Sequence, residues 1–440
     1  MSLTAAPSDA QFATPAHAKT LLRLATAGSV DDGKSTLIGR LLFDAKQVLA
    51  DQLEHVEEAS RRRGGAGAVD LSLLTDGLRA EREQGITIDV AYRSFATPRR
   101  RFLIADTPGH AQYTRNMVTG ASTADLALIL LDARHGVVEQ TRRHAYLSAL
   151  LGTPRLTVCV NKMDLLDWSE ERFTAIVEEF TSWAERLELA EVAFIPISAL
   201  HGDNVVERSA RTPWYDGPPL LAHLEEIDVA ATGHWENRPA RFPVQWVIRP
   251  RSDEHHDFRG YAGRVAGGAL APGDDVVVLP SGRPTRVAAV ETWDGPLGQA
   301  VAPLSVTVRL EDDLDVSRGE MLCSPEEQPV VSRELEATVC WMADAPLRAG
   351  GRYALKHTTR SVRAVVEEVI ERTDVETLSP DGAASAGGGL GLNDIGRVRL
   401  RTSAPLVVDP YRVNRTTGSF ILIDEGTNAT VGAGMVLGAP

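Results

Sequence analysis

Residues Gly28-Ser29-Val30-Asp31-Asp32-Gly33-Lys34-Ser35 carry the sharpest chemical signal in the chain. They match GxxxxGK[ST], preceded by the apolar run Leu21–Ala27 and followed by a helical pattern, which is the context a phosphate-cradling loop requires. Glycines let successive backbone N–H groups curl around a phosphate. Lys34 brings a point charge to the β- and γ-phosphates, the Ser35 hydroxyl can ligate Mg²⁺, and the helix N-terminus favours an anion. Thr36, next in the chain, is counted with the loop. The motif specifies a nucleoside triphosphate but not its base.

Three further segments select the base, each just after an apolar run that reads as a strand. Asp106-Thr107-Pro108-Gly109-His110 follows Arg101–Ala105. There a carboxylate can hold Mg²⁺ through water, and the Gly109 N–H can sense the γ-phosphate. Asn161-Lys162-Met163-Asp164 follows Leu156–Val160. Asp164 can accept two N–H donors from guanine N1 and N2, a donor pair adenine lacks. Ser198-Ala199-Leu200 follows Val192–Ile197, placing the Ala199 N–H where it could meet the guanine O6. The four segments in this order point to GTP. Between the first and second lies Arg82-Glu83-Gln84-Gly85-Ile86-Thr87-Ile88. Thr87 can close onto Mg²⁺ and the γ-phosphate and release after hydrolysis, as a GTPase switch does.

These loops need a scaffold that aligns strand ends. From Leu21 to about Glu226 the expected strands are Leu21–Ala27, Val90–Ala96, Arg101–Ala105, Leu126–Leu131, Leu156–Val160 and Val192–Ile197. Helical patterns run near Ser35–Arg63, Glu139–Leu151 and Glu170–Leu187. Strand–helix alternation with near-continuous Leu/Ile/Val strands predicts a mostly parallel, doubly wound α/β sheet covered on both faces. After about Asp228 short β-type runs dominate, among them Phe242–Ile248, Asp275–Leu279, Val287–Val290 and Ser305–Leu310, then Val362–Ile370, Ile395–Arg401, Ser419–Ile423 and Ala429–Leu437. Broken by Gly/Pro turns, they predict two β-barrel domains. The expected organisation is a loose tail over residues 1–19, a P-loop GTPase domain over 20–228, and barrels over 229–327 and 328–440. Ser379–Gly391, rich in Gly, Ala and Ser, is expected to be a mobile surface loop.

Composition bounds the rest. With 440 residues, 43% hydrophobic and 24% charged, the chain is globular and of multidomain length. No apolar stretch approaches the ~20 residues of a spanning helix, and no signal peptide is expected. The formal charge of −14 argues against bulk binding to nucleic acid or anionic lipid. Three cysteines without CxxC spacing, Cys159, Cys323 and Cys340, read as buried small hydrophobes in a cytoplasmic protein.

The guanine and phosphate motifs, with His110 directly after Asp-Thr-Pro-Gly, resemble the translation-factor class of GTPases. In that class the histidine orients the attacking water, so the resemblance implies that catalytic role for His110, with Lys34 and Thr87 beside it. It implies Mg²⁺ at Ser35, Thr87 and Asp106. Val30 and Ile86 match the residues that flank the histidine as a hydrophobic gate, and ordinary packing reads nearly as well for both. The barrels imply an architecture like that of elongation factor Tu.

Closer resemblance comes from Gln112–Ser122, Phe242-Pro243-Val244-Gln245, Asp257–Gly263, Asn393-Asp394-Ile395-Gly396, Asn414–Ile423 and Thr427–Gly432. These stretches resemble the large, GTP-hydrolysing subunits of bacterial heterodimeric sulfate adenylyltransferases. The resemblance implies GTP hydrolysis coupled to formation of adenosine 5′-phosphosulfate and pyrophosphate from ATP and sulfate. ATP would bind on a small partner subunit of the PP-loop type, because only one complete triphosphate motif is present. Some relatives carry a fused adenylylsulfate kinase. The chain ends at Pro440 soon after the second barrel, so no such activity is expected. A translational GTPase delivering aminoacyl-tRNA shares the three-domain plan, but Arg259-Gly260-Tyr261 and Asn414–Ile423 disfavour it. A regulatory GTPase that only assembles another complex is the other rival.

Other signals read as structural. His255-His256, Arg61-Arg62-Arg63 and Arg99-Arg100-Arg101 read as solvated. The seven tryptophans, including Trp183 and Trp246, read as packing elements.

Overall fold

The computed structural model describes residues 20–45, 71–74, 89–109, 114–187, 189–228, 238–250, 258–381 and 388–439. Its first unit is a six-stranded sheet. In chain order it comprises β1 (Leu21–Ala27), helix α1 (Lys34–Asp44), β2 (Ala91–Ala96), β3 (Arg101–Asp106), α2 (Thr114–Ala121), β4 (Leu126–Asp132), α3 (Glu139–Leu150), β5 (Arg155–Asn161), α4 (Glu170–Ala184), β6 (Glu191–Pro196) and α5 (Leu220–Glu226). The sheet order is β2-β3-β1-β4-β5-β6, and every pairing is parallel except the β2–β3 hairpin. All seven residues of β4 are buried, as a central strand with both faces covered must be. Helix α4 begins where the Ser169 side chain accepts the Arg172 N–H at 3.2 Å, with Glu170 and Glu171 in its first turn to complement the dipole.

Register fixes the site. Thr26 lies opposite Asp106, and Asp132 opposite Asn161, so the loops that follow β1, β3, β4 and β5 leave the sheet at one edge. This carboxyl-end edge is where open parallel sheets bind ligands. One face of the sheet is packed by Leu22, Leu24, Leu37, Ile38 and Leu41. Each such fully buried side chain contributes about 1.5–3 kcal/mol.

The second unit contains β7 (Arg241–Ile248), β8 (Gly260–Arg264), β9 (Ala269–Leu270), β10 (Asp275–Leu279), β11 (Arg283–Thr292), β12 (Gly295–Leu297), β13 (Ala300–Val301), β14 (Ser305–Leu310) and β15 (Met321–Cys323). The order β10-β15-β7-β8-β14-β11 closes through a β10–β11 pairing into a barrel. The third unit contains β16 (Val330–Trp341), β17 (Arg352–His357), β18 (Arg360–Asp374), β19 (Ser379–Asp381), β20 (Ile395–Val408), β21 (Ser419–Ile423) and β22 (Thr430–Gly438). The order β17-β21-β22-β16-β20-β18 closes through β17–β18.

The units are tied by different chemistry. Between barrels, Arg241 and Asp409, both buried, form a two-pronged ion pair at 3.0 and 3.1 Å. Between the sheet unit and the second barrel, the Tyr411 hydroxyl donates to the Leu151 carbonyl at 2.8 Å, the Arg143 guanidinium to Asn393 O at 2.9 Å, and the Trp183 indole to Val375 O at 3.3 Å. Apolar packing crosses the same junction. Ala25, Ile129 and Trp183 share a cluster with Met342, Tyr411 and Met435.

Several expectations need correction. Arg100 is not solvated: its guanidinium is buried and donates to Leu224 O at 2.9 Å and the Thr20 hydroxyl at 3.1 Å, pinning the β2–β3 hairpin to α5. Only its neighbours Arg99 and Arg101 are exposed. Trp246 is 66% exposed and Trp293 99% exposed, whereas Trp183 and Trp341 are buried as expected. Ser379–Asp381 is no loop but strand β19 paired with β18. Leu390 is fully buried in a backbone bridge with Leu347. The helix expected over Ser35–Arg63 is described as far as Asp44, and helices α2 and α5 were not anticipated. The three cysteines are buried, and burial pushes the Cys323 and Cys340 thiols up to about 12. Arg61–Arg63 and His255-His256 lie outside the described residues. No helix among the described residues is long and apolar enough to cross a membrane.

Candidate functional site

A cavity of about 650 Å³ opens at the carboxyl-end edge of the sheet. Ser29, Val30, Asp31, Gly33, Lys34, Ser35 and Thr36 line one side, Gly109 the floor beside them, and Asn161, Lys162, Asp164, Ser198, Ala199 and Leu200 the other side. Four loops separated in sequence are thus brought to one cleft. Gly28, Asp32 and Asp106 lie immediately behind the lining. Thr87, Ile86 and His110 lie outside the described residues.

Asn161 ties the two sides together. Its Nδ2 donates to the Asp32 carbonyl at 2.7 Å, and its Oδ1 accepts the Ala199 N–H at 2.9 Å. The Ala199 N–H expected at a guanine O6 is therefore already engaged, because the buried Asn161 Oδ1 needs a donor. Gly33 makes the approach of Asn161 feasible. Its φ of +92° is left-handed, and a Cβ there would lie 2.5 Å from Asn161 Nδ2. Gly109 is equally constrained, since a Cβ would lie 2.2 Å from the Gly28 carbonyl oxygen. The Thr107 hydroxyl donates to Thr26 O at 2.6 Å and fixes the start of that loop against β1.

The charges are paired internally. The buried Lys34 ammonium forms an ion pair with the Asp106 carboxylate. Lys162 Nζ reaches Asp132 Oδ2 at 2.9 Å and donates to the Asp31 carbonyl at 2.5 Å. Burial alone would raise the Asp132 pKa, but Arg134 and Lys162 hold it well below the usual carboxylate range. Asp32 is counted with the phosphate-binding loop. Its side chain instead turns inward, where Oδ2 accepts the Ser29 N–H at 2.6 Å, and burial pushes its pKa up to about 7. Asp164 is largely covered and lies 3.8 Å from His201 Nε2. Val30 is 42% exposed on the cavity wall, so ordinary core packing does not describe it.

Two matches and three relatives place the chain. A family model described as the Elongation factor Tu GTP binding domain matches residues 19–230, and one described as GTP-eEF1A C-terminal domain-like matches residues 334–437. The chain is 52% identical over 420 residues to "Sulfate adenylyltransferase subunit 1" of Bacteroides fragilis, covering 95% of this chain and 86% of that one. The chain belongs to the sulfate adenylyltransferase subunit 1 family. A second family member, from Alteromonas mediterranea, is 50% identical over 95% of this chain and 87% of its own length. The "Bifunctional enzyme CysN/CysC" of Mycobacterium tuberculosis H37Rv is 59% identical over 419 residues, which are 95% of this chain and 67% of that protein. The architecture of the family is the elongation factor Tu-like one: a parallel-sheet GTPase domain with β-barrels following it.

Sequence reasoning missed several residues of the cleft. Arg134 and Leu165 line the cavity, and Arg134 clasps Asp132 with contacts of 2.6 to 3.2 Å. A carboxylate closing an entirely apolar strand, as Asp132 does, was the available signal. Gln140 Nε2 donates to the Gly109 carbonyl at 3.2 Å and lies 2.8 Å from His144 Nε2. Burial, with Lys34 nearby, depresses the His144 pKa to about 3, so this imidazole is neutral near pH 7. Both residues sit one turn apart on α3, a spacing that places them on one face.

Among the described residues no group of three or more His, Cys, Asp or Glu side chains could hold a metal ion unaided. The donors present, the Ser35 hydroxyl and the Asp106 carboxylate, are hard oxygens of the kind Mg²⁺ takes alongside phosphate oxygens and water. The set therefore fits Mg²⁺ bound together with a triphosphate.

Proposed function

We propose that the chain is the GTP-hydrolysing subunit of a sulfate adenylyltransferase, coupling GTP hydrolysis to the reaction of ATP with sulfate to give adenosine 5′-phosphosulfate and pyrophosphate. Its partner would be a small, PP-loop-type, ATP-binding nucleotidyltransferase subunit in a heterodimer. The observation that carries the reading is the Asn161 bridge, which holds the phosphate loop and the Ser198–Leu200 loop around one nucleotide-sized cavity. Family membership supplies the reaction.

In this reading Gly28–Thr36 cradle the phosphates, and Asp164 accepts the guanine N1 and N2 protons. Lys34 leaves Asp106 for the β- and γ-phosphates. Ser35, Thr87 and Asp106 would hold Mg²⁺, which supplies neutralising charge on the phosphate oxygens. Gly109 N–H meets the γ-phosphate, and His110 orients the water for in-line attack. Catalysis is then chiefly positioning and charge stabilisation. Coupling requires that the partner bind the GTP- and GDP-loaded chain with different affinity. These 440 residues hold one GxxxxGK[ST] motif, so we assign them GTP hydrolysis and no adenylylsulfate kinase step.

The test is co-purification with a PP-loop partner, followed by measurement of GTP hydrolysis with and without ATP and sulfate. Stimulation is expected. His110→Ala should keep GDP and GTP affinity within about twofold and lose at least 100-fold in hydrolysis, about 2.7 kcal/mol of barrier. Hydrolysis at the normal rate would remove His110 from its role. Tight aminoacyl-tRNA binding without any stimulation would favour the translational reading.

A further inference from the structure

A second cavity, of about 630 Å³, lies between helix α2 and the second barrel, away from the first. It is nearly equal in volume to the cleft assigned to GTP. Its lining includes three cations, Arg115, Lys356 and Arg415, and no carboxylate. This is unexpected in a chain of net charge −14. Arg415 is half-buried, and burial lowers its pKa. Among the described residues neither Arg415 nor Lys356 makes a side-chain hydrogen bond or an ion pair, and Arg115 has one carbonyl partner, Met342 O, at 3.2 Å. Asp125, outside the lining, acts on Arg415 only at a distance. A half-buried guanidinium with no directly paired carboxylate is unfavourable, so an anion that completes the set would be stabilised there.

The rest of the wall is apolar, with Val118, Leu151, Met342, Phe420 and Met435. The Tyr411–Leu151 hydrogen bond joins the two units at its lining. A concave site of this size, part apolar and part cationic, suits a small molecule with an aromatic body and a phosphate group better than it suits a flat protein surface. We propose that this junction binds a nucleotide-sized phosphoanion, with Arg115, Lys356 and Arg415 on the phosphate and the Phe420 side of the wall against the base. Its near wall, α2, begins five residues after Gly109. Occupancy would therefore tie the second barrel to the loop that floors the first cavity.

The experiment uses the full chain saturated with GDP and Mg²⁺, so that the first cavity is filled, and adenosine nucleotides as probes. Isothermal titration with ADP and AMP should show binding that weakens with added salt, while uncharged adenosine and inorganic phosphate bind at least tenfold more weakly. Arg415→Gln and Lys356→Gln should each lower ADP affinity about tenfold or more and leave GDP affinity within twofold. Ser122→Trp, which fills the cavity without removing a charge, should do the same. Absence of ADP and AMP binding to the GDP-loaded chain would overturn the proposal. So would unchanged ADP affinity in all three folded variants, or phosphate binding as well as ADP. Failure to load GDP at all would instead count against the reading of the first cavity.

Discussion

The two cavities are almost the same size and are built on opposite principles. In the first, the buried charges already have partners: Lys34 with Asp106, Lys162 with Asp132, Asp32 with the Ser29 N–H. A ligand entering there exchanges one set of contacts for another, so affinity rests on geometry that changes by small movements. In the second, neither Lys356 nor Arg415 has a side-chain hydrogen bond or ion pair among the described residues, and the walls come from two units whose docking creates the space. The first is held by one sheet and its loops. The second exists only while α2 and the second barrel stay together. A site inside one unit can be tuned residue by residue, whereas a site at a junction also reports whether the junction is closed.

The largest effect should come from the junction's support. Arg241→Ala leaves Asp409 buried without its counter-charge and should cost about 3–5 kcal/mol in the stability of the barrel pair, read by urea unfolding. The first cavity should still bind GDP under native conditions. A loss below about 1 kcal/mol would show that the barrels do not depend on this pair.

Next in size is Asp164→Asn. Removing the acceptor for guanine N1 and N2 protons should weaken GDP by about 100-fold, near 2.7 kcal/mol. IDP, which lacks the N2 amino group, should lose less, so the GDP-to-IDP ratio should shrink. An unchanged ratio would place the base elsewhere.

A smaller, pH-dependent effect belongs to Asp32. Its folded pKa, raised by burial to about 7, exceeds the unfolded value of 3.8. Its contribution to stability is therefore fully present below pH 3.8 and is lost as pH rises toward 7. Ionisation also places a negative charge beneath the phosphate loop, so GDP affinity should fall up to about tenfold between pH 6 and pH 8. Asp32→Asn should flatten that profile, and a profile that keeps its slope would assign the titration to another group.

The smallest effect tests the junction directly. Tyr411→Phe removes one hydrogen bond to Leu151 O and should cost about 0.5–1.5 kcal/mol. ADP binding in the second cavity should fall with it, while GDP binding in the first should not.

The same contrast explains what could be read in the sequence. The first cavity was legible because its residues lie within a few positions of strand ends, and strands such as Leu21–Ala27 and Leu126–Asp132 announce themselves by unbroken apolar runs. The inward turn of Asp32 was not legible, since nothing in Val30-Asp31-Asp32-Gly33 says which carboxylate faces solvent. Arg100 was hidden by exposed arginines on both sides. Helix α2, Thr114–Ala121, has a weak pattern because its Thr, Asn and Gly residues are neutral or poor in helices, and packing stabilises it instead. The second cavity was not legible as a site, although much of its lining falls in Gln112–Ser122 and Asn414–Ile423, the stretches that carry the family resemblance. Arg115 and Arg415 are 300 positions apart, and only the folded junction brings them together.

Closure of both barrels has one further consequence. A ring of hydrogen-bonded strands exposes no row of unpaired N–H and C=O groups, and the flaps β12 and β19 are only three residues long. Strand-by-strand recruitment of another polypeptide is thereby denied to most of the barrel surface. Among the described residues, the first unit's sheet keeps open borders along β2 and β6, and the short β9–β13 pair has its own. Over that surface a protein that grips the barrels does so through side chains, and a single surface substitution can then abolish its grip without disturbing the backbone beneath.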